Sequence, residues 1–140
     1  MAFREKSAWV MGLVLLAGMI FYFRTVWIMS AEVGGVAPPL LPLVIVYVIA
    51  IVILSIIGHV LIALSKPSEA DTPMDERDNI IAARAGSIGG FLMGLGVITS
   101  LGVYLFTYDG DLLFHSAFGS VMVAQLAEYV AQVTFYRTSL

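Results

Sequence analysis

Glu128 makes the greatest demand on its surroundings of any residue in this chain. It stands in a mostly apolar run, with Gln125 three residues before it and Gln132 four after it, so the three share one helical face. A carboxylate inside a membrane is costly unless it faces protein or water, and such groups either handle protons or fix how helices assemble. His59 lies in a second apolar run at a similar distance from the end of its segment, with Ser55 one turn away. A His59–Glu128 contact is therefore within reach, with Arg84 approaching from a third segment. As chemistry, the set is a protonatable site for proton- or cation-coupled transport, or a pocket for a ligand head group. As architecture, it is a polar pair that sets helix assembly, and this second reading is the one favoured.

The remaining chemistry is sparse. The chain has no cysteine, which removes thiolate nucleophiles, disulfides and Cys-ligated metals together. A haem held by two histidines of one subunit needs both at one depth, whereas His59 and His115 belong near opposite faces. A single haem ligand, or a pair made across a dimer, stays open, but no cofactor or metal is expected. His115 reads more simply as an interfacial residue in the first turn of its helix. Neither a nucleophile elbow nor a phosphate-binding glycine loop is present, so the chain is expected not to be an enzyme. The one extended polar segment is net acidic, which disfavours nucleic acid as a partner.

The elements that position these residues follow from composition. The 140 residues are 60% hydrophobic and 12% charged, with a mean hydropathy of +0.97. A soluble domain carries about 25% charged residues, so the supply here cannot cover a water-facing surface. The expectation is a single transmembrane domain: an all-α, integral membrane four-helix bundle with spans over about 8–29, 40–64, 85–107 and 112–136. Trp9 and Trp27 are separated by a rise of about 27 Å along a helix, matching the two aromatic belts of a bilayer. Arg24, one turn inside Trp27, is read as snorkelling to the nearer interface, or as pairing with Asp109 or Asp111. A turn at Tyr108-Asp109-Gly110-Asp111, with Gly110 left-handed and Asp111 as cap, makes the last two spans antiparallel neighbours.

The loop over 65–84 is the densest in charge, with eight of the seventeen charged residues. Thr72 is the expected helix cap, with Pro73 at the first position and Asp75, Glu76 and Asp78 favouring the positive end of the dipole. Ile80, Ile81, Ala83 and Arg84 then suggest a short amphipathic helix in the interface before the third span. Asp75, Glu76, Arg77, Asp78 and Arg84 have no opposite charge one turn on, so they form a collar available to lipid head groups, another helix end or a partner protein. Beyond the collar, Ala82, Gly86, Gly90 and Gly94 recur every four residues, a small-residue ladder that lets a second helix come close. Six of the seven basic residues fall on the side of the N-terminus, this loop and the C-terminus. The positive-inside rule then gives an N-in, C-in chain.

Met74-Asp75-Glu76-Arg77-Asp78, followed by Ile81 and Arg84-Ala85, resembles a D-E-R-x-x-x-I-x-x-K/R-A pattern found on the cytoplasmic side of a pair of spans. It is the pattern of small four-span bacterial membrane proteins of unknown function, the DUF2178-like predicted membrane protein family. The resemblance implies a multi-pass protein of the bacterial inner membrane and supplies no activity. Taken together, the sequence suggests a non-enzymatic membrane protein acting through assembly, as an accessory subunit of a membrane complex or as a homo-oligomer, with the lipid bilayer and a membrane protein or a second copy as partners. The alternative is a small proton- or cation-coupled transporter or channel component built on Glu128 and His59.

Overall fold

A computed structural model of the chain describes residues 3–70 and 72–138. Asp71, inside the charged loop, lies outside the described residues. The order of elements is α1 (Phe3–Val33), α2 (Leu41–Ser65), a one-turn α3 (Pro67–Ala70), α4 (Glu76–Thr107) and α5 (Gly110–Arg137). The fold is all-helical over the described residues. Three helices, α1, α2 and α4, are long and apolar enough to cross a membrane. With 31, 25 and 32 residues, they run to about 46, 38 and 48 Å, more than the roughly 30 Å of a bilayer core. α1 and α4 overrun the predicted spans and α2 is shifted from its span by one residue, while α5 has the length of its neighbours without their apolarity.

Each helix boundary has a local cause. Leu41 and Pro42 open α2, where the missing amide hydrogen of proline is not needed by the ladder. The start of α4 lies three residues beyond the Thr72 cap that the sequence suggested. Asp75 is the cap: its side chain accepts from the Asp78 amide at 2.7 Å, and the Asp78 side chain accepts from the Asp75 amide at 3.2 Å. This reciprocal box satisfies two orphan donors where Thr72 with Pro73 would satisfy one. Instead of capping, Thr72 donates its hydroxyl to the Ser68 carbonyl at 3.0 Å. The amphipathic stretch over 80–84 is not a separate helix, because Glu76–Thr107 continues unbroken through it. At the opposite end of α4 it is Tyr108, not Gly110, that takes the left-handed conformation, with φ of 50°. Asp109, not Asp111, caps α5 by accepting from the Leu112 amide at 3.0 Å.

Packing runs in a series. α2 lies against α1, α1 against α5, and α5 against α4. No extensive α2–α4 contact closes the series into a ring. The α1–α2–α5 junction holds an aromatic cluster in which Tyr22 is fully buried, with its ring 5.9 Å from Tyr47 and 5.0 Å from Phe118. Tyr47 meets Phe118 edge-on at 5.5 Å. Offset and edge contacts of this kind add about 0.5–1.5 kcal/mol a pair beyond burial. Close approach of α1 to α2 depends on Gly18, where an added Cβ would lie 2.9 Å from the Tyr47 ring.

Little else is buried. Tyr47 is the only residue of α2 withdrawn from the surface, although that helix is the most apolar segment of the chain. A soluble monomer rarely leaves so large an apolar area uncovered. Lipid is the solvent that such a surface fits.

Candidate functional site

The polar residues gather in three places. The first is the α4–α5 seam. Ile81, Ala85, Gly89 and Ser100 are the buried residues of α4; Gly89 faces Ala124 and Glu128 of α5, and Gly96 faces Ser120. A Cβ on Gly89 would stand 3.1 Å from the Glu128 Cβ and 3.2 Å from the Ala124 carbonyl; one on Gly96 would stand 2.6 Å from the Ser120 Cβ. The helices meet so closely only because these positions lack side chains. The predicted ladder, Ala82–Gly86–Gly90–Gly94, is not the face that is used. Gly86 only grazes the Glu128 carboxylate at 4.0 Å, and Gly90 and Gly94 have nothing within 4 Å. Glycines occur on several sides of α4, and the row of small residues on α5 selects the one beside Ala85 and Gly89.

Glu128 is thus seated against α4, half-buried, about 13 Å below Arg137 along α5. Among the described residues its carboxylate makes no ion pair and no hydrogen bond. Gln125 is exposed and Gln132 half-buried on the same helix.

His59 is elsewhere. It belongs to α2, and its Nδ1 donates to the Ser55 carbonyl at 2.7 Å. Its Nε2 lies 2.7 Å from the Ser7 hydroxyl, so the serine donates to it. The structure therefore does not join His59 to Glu128: Ser7 of α1 supplies the partner His59 needs, and Glu128 is turned toward α4. Arg84 is exposed and does not reach Glu128 either.

The second place is the latch at the end opposite the charged loop. His115 is only 5% exposed, not an interfacial residue in contact with solvent. Its Nε2 donates to the Ala37 carbonyl at 2.8 Å, which leaves Nδ1 to accept from the Tyr22 hydroxyl at 3.0 Å. Ser30 accepts from the Ala37 amide at 2.9 Å. One imidazole thereby ties α5 to α1 and to the 34–40 link. Both ring nitrogens of each histidine are engaged in this way, and no group of three metal-ligating side chains occurs among the described residues.

The third place is the charged end, where the N-termini of α1 and α4 meet the C-termini of α2 and α5. Arg77 donates to the Tyr136 carbonyl at 3.0 Å and its guanidinium stands 5.7 Å from the Tyr136 ring. The Tyr136 hydroxyl donates to Asp78 at 2.7 Å. Arg137 donates to the buried Glu5 at 2.9 Å and stacks on Trp9 at 5.6 Å. Arg4 donates to the Thr72 carbonyl at 3.3 Å. A cation on the last carbonyls of α5 and carboxylates on the first turn of α4 both complement the helix dipoles. Three residues of the predicted collar, Asp75, Arg77 and Asp78, are thus engaged within the chain. Glu76 and Arg84 remain exposed.

Compared with protein-family models, curated proteins and solved structures, the chain matches none.

Proposed function

We propose that the protein is a four-span protein of the bacterial inner membrane, N-in and C-in, that works through assembly with a second copy or another membrane protein. The four-span reading rests on α5. Its own composition is too polar to mark it as a span, but it lies between α1 and α4 and is tied to both at the charged end, through Glu5–Arg137 and Arg77–Tyr136. If α1 and α4 cross, α5 crosses with them, with His115 buried and Glu128 turned toward α4, while Gln125 stays exposed. Six basic residues at the charged end, against Arg24 alone toward the other, support placing that end in the cytoplasm.

The observation that carries the assembly reading is the open face of α4. Gly90 and Gly94 have empty space in front of them while Gly89 and Gly96 of the same helix are filled by α5. The series of helices also ends at α4 without an extensive return to α2, so among the described residues that face has no packed partner. A photo-crosslinking residue at Gly94 tests this in native membranes. An adduct of defined mass is expected from Gly94 and none from Ile56, which is exposed on α2. Equal, diffuse labelling from both positions, together with a monomer mass in mild detergent, would defeat the reading.

A second reading, transport of a proton or cation, is favoured by one observation, the carboxylate of Glu128 without a bonded partner in the seam. It no longer draws on His59. Under this reading Glu128→Gln abolishes a pH-dependent flux in proteoliposomes while leaving the assembled mass unchanged. Under the assembly reading the flux is absent from wild type.

A further inference from the structure

An apolar groove of about 310 Å³ runs between α1 and α5 on the side away from the α4 seam. Its α1 wall is formed by Ala8, Trp9, Gly12, Leu13 and Leu16, and continuing it one turn toward the N-terminus reaches Glu5 and Lys6. Its α5 wall includes Tyr129 and Val133, and the same spacing continues to Arg137. Both apolar walls therefore finish in a cation at the same end of the molecule. Lys6, Trp9 and Arg137, with Val10 and Ile62, also line a recess of about 430 Å³, and Trp9 is the wall that the recess shares with the groove.

The donors at this mouth are in part unspent. Lys6 makes no ion pair or hydrogen bond among the described residues, and Arg137 uses its Nε on Glu5, leaving its two terminal amino groups without a protein acceptor. With Glu5 included, the mouth carries a net single positive charge. The groove from Trp9 to Leu16 spans about 10 Å along α1, which fits within one leaflet of a bilayer core about 30 Å thick.

We infer that the α1–α5 groove is a binding site for an anionic phospholipid, one acyl chain lying between Trp9 and Val133 and the phosphate meeting Lys6 and Arg137. An apolar slot alone takes the tail of any lipid. The cations placed at its mouth select a head group with net negative charge over a zwitterionic one, since a basic residue near the membrane surface changes such binding by about five-fold. Gly12 keeps the slot open: an added Cβ would have only an ordinary contact, 3.8 Å from the Tyr129 Cβ, so what a larger residue would occupy is the groove itself. The inference rests on the membrane reading above, because the charged end must lie at the bilayer surface.

Trp9 serves as the reporter, because Trp27→Phe leaves it as the sole tryptophan. This variant is reconstituted into phosphatidylcholine vesicles containing either phosphatidylglycerol or phosphatidylcholine brominated on the acyl chains. Half-quenching of Trp9 is expected at a mole fraction of brominated phosphatidylglycerol about five-fold below that of brominated phosphatidylcholine. Lys6→Gln should close the gap while both lipids still quench, and Gly12→Phe should weaken quenching by both. Equal quenching by the two lipids, or a preference untouched by Lys6→Gln and Arg137→Gln, overturns the inference and leaves the membrane reading standing. Failure of the protein to float with the vesicles sinks the membrane reading, and the lipid site falls with it.

Discussion

A single missing methyl group decides how α4 can meet α5. At Gly96 an added Cβ would come within 2.6 Å of the Ser120 Cβ and 3.5 Å of its Cα, atoms that cannot swing aside. Gly96→Ala should therefore force the seam apart and cost about 1–3 kcal/mol, the usual penalty of overpacking. Gly90→Ala, about one and two-thirds turns away, meets nothing within 4 Å in the single chain, so in the monomer it should cost nothing, or gain up to about 1 kcal/mol from helix propensity. Thermal unfolding of the two variants in detergent gives the ranking, and equal midpoints would show that the seam is not where the glycines place it. Tyr22→Phe tests the latch. It removes the donor to His115 Nδ1 in a site that water does not reach, so a loss of about 1–3 kcal/mol is expected. None of this was legible residue by residue. Glycines lie on several sides of α4, and only the facing row of Ser120, Ala124 and Glu128 picks one side. Tyr22 and His115 are 93 positions apart, and no local pattern joins them.

Whole elements were far easier to read. Long runs with little charge marked the four long helices, though not the one-turn α3, because length and low charge are properties of a window and survive errors at single positions. Caps were read less well for the opposite reason. Thr72-Pro73 and Asp75 both look like helix starts, and Asp75 prevails because its partner Asp78 returns the hydrogen bond. Asp75→Ala should accordingly fray α4 and lower stability by about 1 kcal/mol, whereas Thr72→Ala loses only a hydroxyl bond outside that helix. Amide exchange over residues 76–79 would separate the two: protection is expected to drop in the first variant alone. The same frayed turn carries Arg77 and Asp78, so the Asp75 variant should also loosen the C-terminal turn of α5 through Tyr136. A purely local cap would leave that turn unchanged.

At the scale of the molecule, the decisive quantity is how many times the chain crosses the bilayer, and α5 alone leaves it open. By composition α5 is a poor span, with Glu128, two glutamines and His115 among its residues. Its surroundings argue the other way: α1 flanks it on one side and α4 on the other, and His115 and Glu5–Arg137 hold it in register at both ends. With His115 buried and Glu128 seated against α4, α5 can cross where an isolated helix could not, because its costliest groups face protein, and the exposed Gln125 is left toward lipid. The absence of cysteine makes the test direct. Single cysteines at Gly34 and Asp109 should react with a membrane-impermeant thiol reagent applied from outside the cytoplasmic membrane. Cysteines at Ser68 and Thr138 should react only after permeabilisation, because both belong to the charged end. Labelling of Thr138→Cys from outside, with Ser68→Cys protected, would mean that α5 does not return across the bilayer. The Glu5–Arg137 and Arg77–Tyr136 ties could not then form in the membrane, and the three-helix count set by apolarity alone would be the right one.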